Sequence, residues 1–212
     1  MERVPVRAGQ HVRQHNLRHP RSKQLPSHYR QPQSEPHIHF STTEIISILV
    51  SIITLALAFH MFKVSDVGII LGLTLGFTFH EIAHKLVAQS MGFESRYKLW
   101  EIGLVLVIAF AIISRGRFIF AAPGFVVTEG MATTRERGII SLSAPAANIL
   151  LIFVFLIIGG AWHSAAYANA LLAIFNLLPV PPLDGAAVME WSPGVWGMAF
   201  VLCLVLGFGT IL

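Results

Sequence analysis

Charged residues are scarce in this 212-residue chain: they make up only 12% of it, whereas a typical soluble domain has about 25%. Hydrophobic residues make up 54%, and the mean hydropathy is +0.66. A soluble protein of this length needs more polar surface than this to cover its core. The composition therefore excludes an ordinary soluble domain and favours a protein whose main solvent is lipid.

The chain is also short of cysteine, and its first 40 residues are short of acidic side chains. A single cysteine, Cys203, leaves no disulfide framework. Acidic residues are rare in residues 1–40, which hold seven of the fifteen Lys and Arg but only Glu2 and Glu35. The net positive charge of the chain belongs to this stretch, so we expect no nucleic-acid partner. We predict a disordered basic tail over residues 1–40, on the cytoplasmic side of an anionic membrane.

Long polar stretches are missing beyond residue 40. The chain there consists of apolar segments with short breaks, at residues 44–62, 67–89, 99–114, 139–160, 164–188 and 193–212. A membrane-crossing helix needs about 20 mostly apolar residues, and only the third segment falls clearly short of that length. We therefore predict an all-α polytopic membrane protein with five to six transmembrane helices over residues 41–212, the short Leu99–Ser114 segment being re-entrant. A β-branched and aromatic stretch predicts a small β-hairpin near residues 116–128.

The sharpest motif is His80-Glu81-Ile82-Ala83-His84, inside the second apolar segment. Residues four apart lie on one face of a helix, so the two imidazoles can bind the same metal ion. Glu81 lies beside them and can reach a water molecule at the metal. Such groups are costly at membrane depth and usually have partners or a polar cavity. The spacing therefore indicates one zinc per chain, with His80 and His84 as ligands and Glu81 as general base.

A third ligand is predicted in the fifth apolar segment, because a catalytic zinc usually takes three protein ligands and leaves one position for water. Three prolines at positions 179, 181 and 182 interrupt this segment, and Asp184 follows them as its only carboxylate. The freed backbone groups must face protein or a wet cavity rather than lipid. We expect Asp184 to complete the site; the alternative is a proline-rich turn in which Asp184 is a plain helix cap.

These two motifs, HEIAH in an apolar segment and NLLPVPPLDG about 90 residues later, together resemble the site-2 protease family of intramembrane zinc metalloproteases. The chain looks closest to the compact prokaryotic members over residues 40–212. The resemblance implies the same zinc ligands and general base, a transmembrane protein as substrate and a prokaryotic cell membrane as location. It also implies that Asn176 lies close to the metal, where it polarises the substrate carbonyl or orients the water.

Two weaker elements support the resemblance. The family's Gly-Pro-x-x-Asn element is present as Ala144-Pro145-Ala146-Ala147-Asn148, with alanine in place of glycine. The Arg115–Gly138 stretch resembles the membrane-associated β region of the family, which implies that it holds an unwound substrate by strand addition.

Three other functions remain compatible with these residues. A membrane protein that binds or transports metal would use the same ligands without needing Glu81. An inactive relative would bind membrane helices without cutting them. A different HExxH membrane protease would take its third ligand from a downstream glutamate, and Glu190 is the only acidic residue after Asp184. Iron, cobalt or manganese would also fit these ligands.

Overall fold

The computed structural model describes residues 38–61, 66–113 and 123–210. Within these ranges the helices are α1 (Thr42–Met61), α2 (Val67–Ser90), α3 (Glu101–Ile113), α4 (Thr134–Ile158), α5 (His163–Asn176), α6 (Asp184–Trp191) and α7 (Pro193–Gly209). The strands are β1 (Glu94–Leu99) and β2 (Gly124–Glu129), and a 3₁₀ turn (Gly160–Trp162) precedes α5. The prediction of a mainly helical protein with a small β element is confirmed. The predicted disordered tail lies outside the described residues except for residues 38–40.

Three of the described helices, α1, α2 and α4, are long and apolar enough to cross a membrane. The prediction of five to six crossing helices is therefore wrong for the described chain. Helices α3 and α7 are apolar but have only 13 and 17 residues. At about 1.5 Å per residue, α3 is shorter than the ~30 Å hydrocarbon core, and its re-entrant path stays a prediction. The fifth apolar segment is divided into α5 and α6, neither of which is long enough to cross.

The break between α5 and α6 follows from the three prolines at positions 179, 181 and 182, which supply no backbone N–H and together interrupt a helix. Helix α5 ends at Asn176 and α6 begins at Asp184. The two helices come close together at Gly185, where a Cβ atom would overlap the carbonyl of Leu177. The break therefore places Asp184 in the first turn of a new helix that packs against the end of the previous one.

Helices α2, α4 and α5 pack together at the centre of the fold. The face of α5 toward this centre consists of small residues, and Ala165, Ala166 and Ala170 are fully buried. A Cβ atom at Gly72 of α2 would lie only 2.6 Å from the Cα of Ala165. Small residues at a helix interface allow the backbones to approach closely. The site-bearing helix α2 is thus held directly against its neighbours.

The two strands form an antiparallel pair in which Glu94 lies opposite Glu129 and Leu99 opposite Gly124. The hairpin prediction near 116–128 is right for the strand at Gly124–Glu129 and wrong for its pairing. The partner of β2 is β1, which precedes α3, so a whole helix lies between the two strands in the sequence. A local pattern cannot reveal such a long-range pairing. Residues 116–122 of the predicted hairpin lie outside the described residues.

A buried ion pair joins α1, α2 and β1. The Nζ atom of Lys85 lies 2.6 Å from Oε1 of Glu44, and both side chains are buried. Lys85 also donates to the carbonyl of Ser95 at 2.8 Å, and the same Glu44 oxygen accepts the backbone N–H of Tyr97 at 2.9 Å. Because buried charges are stable only when paired and hydrogen-bonded, this cluster fixes strand β1 against the two helices.

Candidate metal centre

Helix α2 presents three of the predicted site residues within one turn. His80 and Glu81 are buried, with 4% and 9% of their surface exposed, and His84 is partly buried. The two imidazole rings stand edge to face with their centroids 5.0 Å apart. The i, i+4 spacing has therefore produced the paired imidazoles that the sequence predicts.

Asp184 approaches both imidazoles from α6. One carboxylate oxygen, Oδ2, lies 3.2 Å from Nε2 of His80, and the other, Oδ1, lies 3.3 Å from Nε2 of His84. One ligand atom from each of the three residues lies within 4.8 Å of the other two. In the part of the chain that the structure describes, this is the one group of His, Cys, Asp or Glu side chains close enough to share a metal ion.

The surroundings of Asp184 fit a cation better than a helix cap. The N-cap of α6 is Leu183, and no side chain caps this helix. The buried Oδ2 atom of Asp184 has no hydrogen-bond partner. An ionised carboxylate with two neutral imidazoles is a donor set that suits zinc.

Helix α4 provides a hydrogen-bond acceptor for the Nδ1 atom of each imidazole, on the side of the ring away from Asp184. The Nδ1 atom of His80 lies 2.8 Å from Oδ1 of Asn148, and Nδ1 of His84 lies 3.0 Å from the carbonyl oxygen of Ile140. A carbonyl oxygen only accepts, so each Nδ1 carries a proton, and in the neutral ring Nε2 then has the lone pair that can bind a metal ion. Backbone or side-chain acceptors of this kind fix the tautomer and orientation of metal-binding histidines.

The Asn148 side chain belongs to a buried amide network that the sequence analysis did not predict. Its Nδ2 group donates to the carbonyl of Gly76 at 3.1 Å and to Oδ1 of Asn169 at 3.0 Å. Asn169 in turn donates to the carbonyl of Gly72 at 2.8 Å. Because Nδ2 is used by two acceptors, Oδ1 must face His80. The available signal was an asparagine in each of two apolar helices, where an unpaired amide is costly.

Glu81 is held by the β-sheet rather than by the other site residues. Its Oε2 atom accepts the backbone N–H of Val126 in β2 at 3.0 Å. This contact leaves the second carboxylate oxygen of Glu81 for a water molecule. The sequence predicted the role of Glu81 but not the strand that supports it.

Asn176 and Glu190 are not part of the three-residue cluster. Asn176 ends α5, and its side-chain amide donates to the carbonyl of Leu172 in the same helix at 2.9 Å. Its role toward the substrate carbonyl stays a prediction. Glu190 forms an ion pair with Arg137 at 3.1 Å, and both side chains are about half exposed. The structure therefore gives no support to Glu190 as a third metal ligand.

We expect Asn148→Ala to weaken zinc binding by about 10- to 100-fold, because loss of an outer hydrogen bond frees the His80 ring to turn and to change tautomer. Thr78→Ala is the matched control, since it removes a side-chain hydrogen bond that stays within α2. Competition with a chromophoric zinc chelator measures both affinities. Wild-type affinity in Asn148→Ala would show that this contact does not orient the ring.

Comparison with known proteins finds two relatives. The chain is 34% identical over 173 residues to "Putative zinc metalloprotease MJ0611" of Methanocaldococcus jannaschii, a match that covers 75% of this chain and 90% of that protein. It is 28% identical over 160 residues to "Putative zinc metalloprotease YwhC" of Bacillus subtilis, covering 60% of this chain and 70% of that protein. No family model and no solved structure matches the chain.

Proposed function

Because the chain belongs to the zinc metalloprotease family of these relatives, we propose that it is a zinc endopeptidase of the site-2 type that hydrolyses peptide bonds of transmembrane proteins. The observation that carries this proposal is the approach of Asp184 to the two imidazoles of α2. Three ligands close together, with a carboxylate one residue away from the first, are the parts that a metal-assisted hydrolase requires.

The chemistry divides among these residues. His80, His84 and Asp184 would hold the zinc ion, which when bound makes a water molecule nucleophilic near neutral pH. Glu81 accepts the proton of the attacking water and later delivers it to the leaving amine. Asn176 is proposed to donate to the carbonyl oxygen of the scissile bond, where negative charge develops.

The setting of the site supports a substrate that is itself in the membrane. The HEIAH motif lies on α2, one of the three helices long and apolar enough to cross a bilayer. The apolar outer surface of α4 includes Leu150 and Ile157, which are 64% and 85% exposed, and such surface suits contact with lipid. We propose a prokaryotic cell membrane as the location, with the N-terminus in the cytoplasm. The archaeal and bacterial relatives support the prokaryotic setting.

Cleavage by the purified protein in liposomes tests the proposal. We expect one zinc per chain, cleavage of a single-span model substrate, loss of cleavage after chelation, and recovery when zinc is added back. A zinc-sensitive dye inside the same liposomes measures metal transport in parallel. Zinc entry without cleavage would support the transporter instead, and bound zinc with neither activity would indicate an inactive relative.

A further inference from the structure

The β-sheet connects two buried glutamates that lie on different helices. Tyr97 of β1 and Val126 of β2 are directly opposite each other in the antiparallel register. The backbone N–H of Tyr97 is bonded to Glu44 of α1 at 2.9 Å, and the backbone N–H of Val126 is bonded to Glu81 of α2 at 3.0 Å. The two N–H groups of this pair therefore point away from each other, toward opposite edges of the sheet.

This arrangement identifies Tyr97 and Val126 as a non-hydrogen-bonded pair of the ladder. In an antiparallel sheet, pairs that exchange hydrogen bonds alternate with pairs whose polar groups point outward. The backbone of Ser95, two residues before Tyr97 in β1, also directs its polar groups outward. Its carbonyl accepts from Lys85 at 2.8 Å and from Gln89 at 3.1 Å. The Val126 N–H is thus not used by the ladder and is available to Glu81.

The outer edge of β1 is fixed independently of the proposed active site. The buried Lys85–Glu44 pair and Gln89 hold the backbone of Ser95 and Tyr97. Because β2 pairs with β1 in a defined register, the position of Val126 is fixed relative to Tyr97.

We propose that the backbone N–H of Val126 is the positioning group for Glu81, and that the two-stranded sheet sets where the carboxylate of this base lies relative to the metal ligands. The inference rests on the proposed function, since it assigns a role in that reaction. One carboxylate oxygen is anchored by the strand, and the other stays directed to the water. A catalytic group works only when its supports hold it in the productive geometry, and a displacement of about 1 Å costs about 10²-fold in rate.

The structure provides a substitution aimed at this donor. In Val126→Pro the outward N–H is lost while the ladder bonds of β2 remain, and proline is tolerated at strand edges in this orientation. Thr128→Pro is the matched control: Thr128 lies opposite Ser95, so by the same alternation its N–H also points outward, two residues from the donor to Glu81. Val126→Ala keeps the N–H and removes most of the side chain.

We expect Val126→Pro to lower kcat for the model substrate by roughly 10- to 100-fold, with KM within about twofold and zinc content unchanged. Thr128→Pro and Val126→Ala, which both keep the donor to Glu81, should lower kcat much less than Val126→Pro does. An unchanged or raised kcat in Val126→Pro overturns the proposal. An equal fall in Thr128→Pro also overturns it, because the whole strand edge would then matter, as in substrate strand addition.

Amide hydrogen exchange keeps the proposal testable if Val126→Pro does not fold. Exchange at the Val126 N–H should be slow in the wild-type protein and faster in Glu81→Ala, while exchange at Phe125 changes little because its N–H is used by the ladder. Equal exchange at Val126 in the two proteins would overturn the proposal. Absence of cleavage by zinc-loaded wild-type protein would instead count against the proposed function, so the two failures are distinguishable.

Discussion

Glu81→Gln is expected to remove nearly all cleavage while leaving zinc bound. A positioned general base contributes about 10²- to 10⁴-fold to a hydrolysis rate, and an amide cannot take a proton from water. The glutamine side chain has the same shape, and its oxygen can still accept the Val126 N–H that now bonds Glu81. The three metal ligands are untouched. Single-turnover cleavage of the model substrate and metal analysis of the same sample measure the two effects.

Glu101→Gln is the matched control for this result, because it removes an exposed carboxylate in the first turn of α3. It should cleave at the wild-type rate. Full activity in Glu81→Gln would favour metal transport or another base. Loss of zinc in Glu81→Gln would mean that this carboxylate binds the metal, which contradicts the division of roles proposed here.

Asp184→Ala is expected to lose both zinc and cleavage. Removal of an outer partner of a ligand weakens metal binding by about 10- to 100-fold, and removal of a ligand itself should have a larger effect. Asp184 places one oxygen 3.2 Å and the other 3.3 Å from the two imidazoles, and without it two nitrogens alone would hold the ion. Equilibrium zinc titration and the cleavage assay should both show the loss.

Glu190→Ala is the matched control on the same helix. It removes a carboxylate that is about half exposed and paired with Arg137, so zinc affinity and cleavage should stay at wild-type levels. The opposite pattern, with zinc retained in Asp184→Ala and lost in Glu190→Ala, would support the protease class whose third ligand is a downstream glutamate. Retention in both variants would mean that the third ligand is another group.

The supports of the site could not be predicted from local patterns. His80 and His84 meet because they are four residues apart in one helix, which is a property of the segment itself. The contact between His80 and Asn148 joins positions 68 residues apart, and that between Glu81 and Val126 joins positions 45 apart. Helical and strand periodicity relate residues only a few positions apart, so neither contact can be deduced from a repeating pattern in the sequence. The same limit applies to β1 and β2, whose pairing crosses a complete helix.

The number of membrane-crossing helices was overestimated for a different reason. The apolar content of a segment indicates whether it prefers lipid or water, but it does not indicate where a helix within that segment ends. The fifth apolar segment has enough apolar residues to span a bilayer, yet it forms α5 and α6 with a proline-rich turn between them. The prolines that indicated a break near Asp184 are the same residues that shorten these helices.

The sequence by itself determined that His80, Glu81 and His84 lie together, because helical periodicity places these side chains on one turn. It also located Asp184, because three prolines within four residues interrupt a helix. Only the tertiary structure decided that Asp184 reaches the imidazoles, that Asn148 orients His80 and that Val126 holds Glu81. The physical reason is that these contacts depend on how α2, α4, α6 and β2 pack, and packing depends on the whole surface of each element rather than on local sequence.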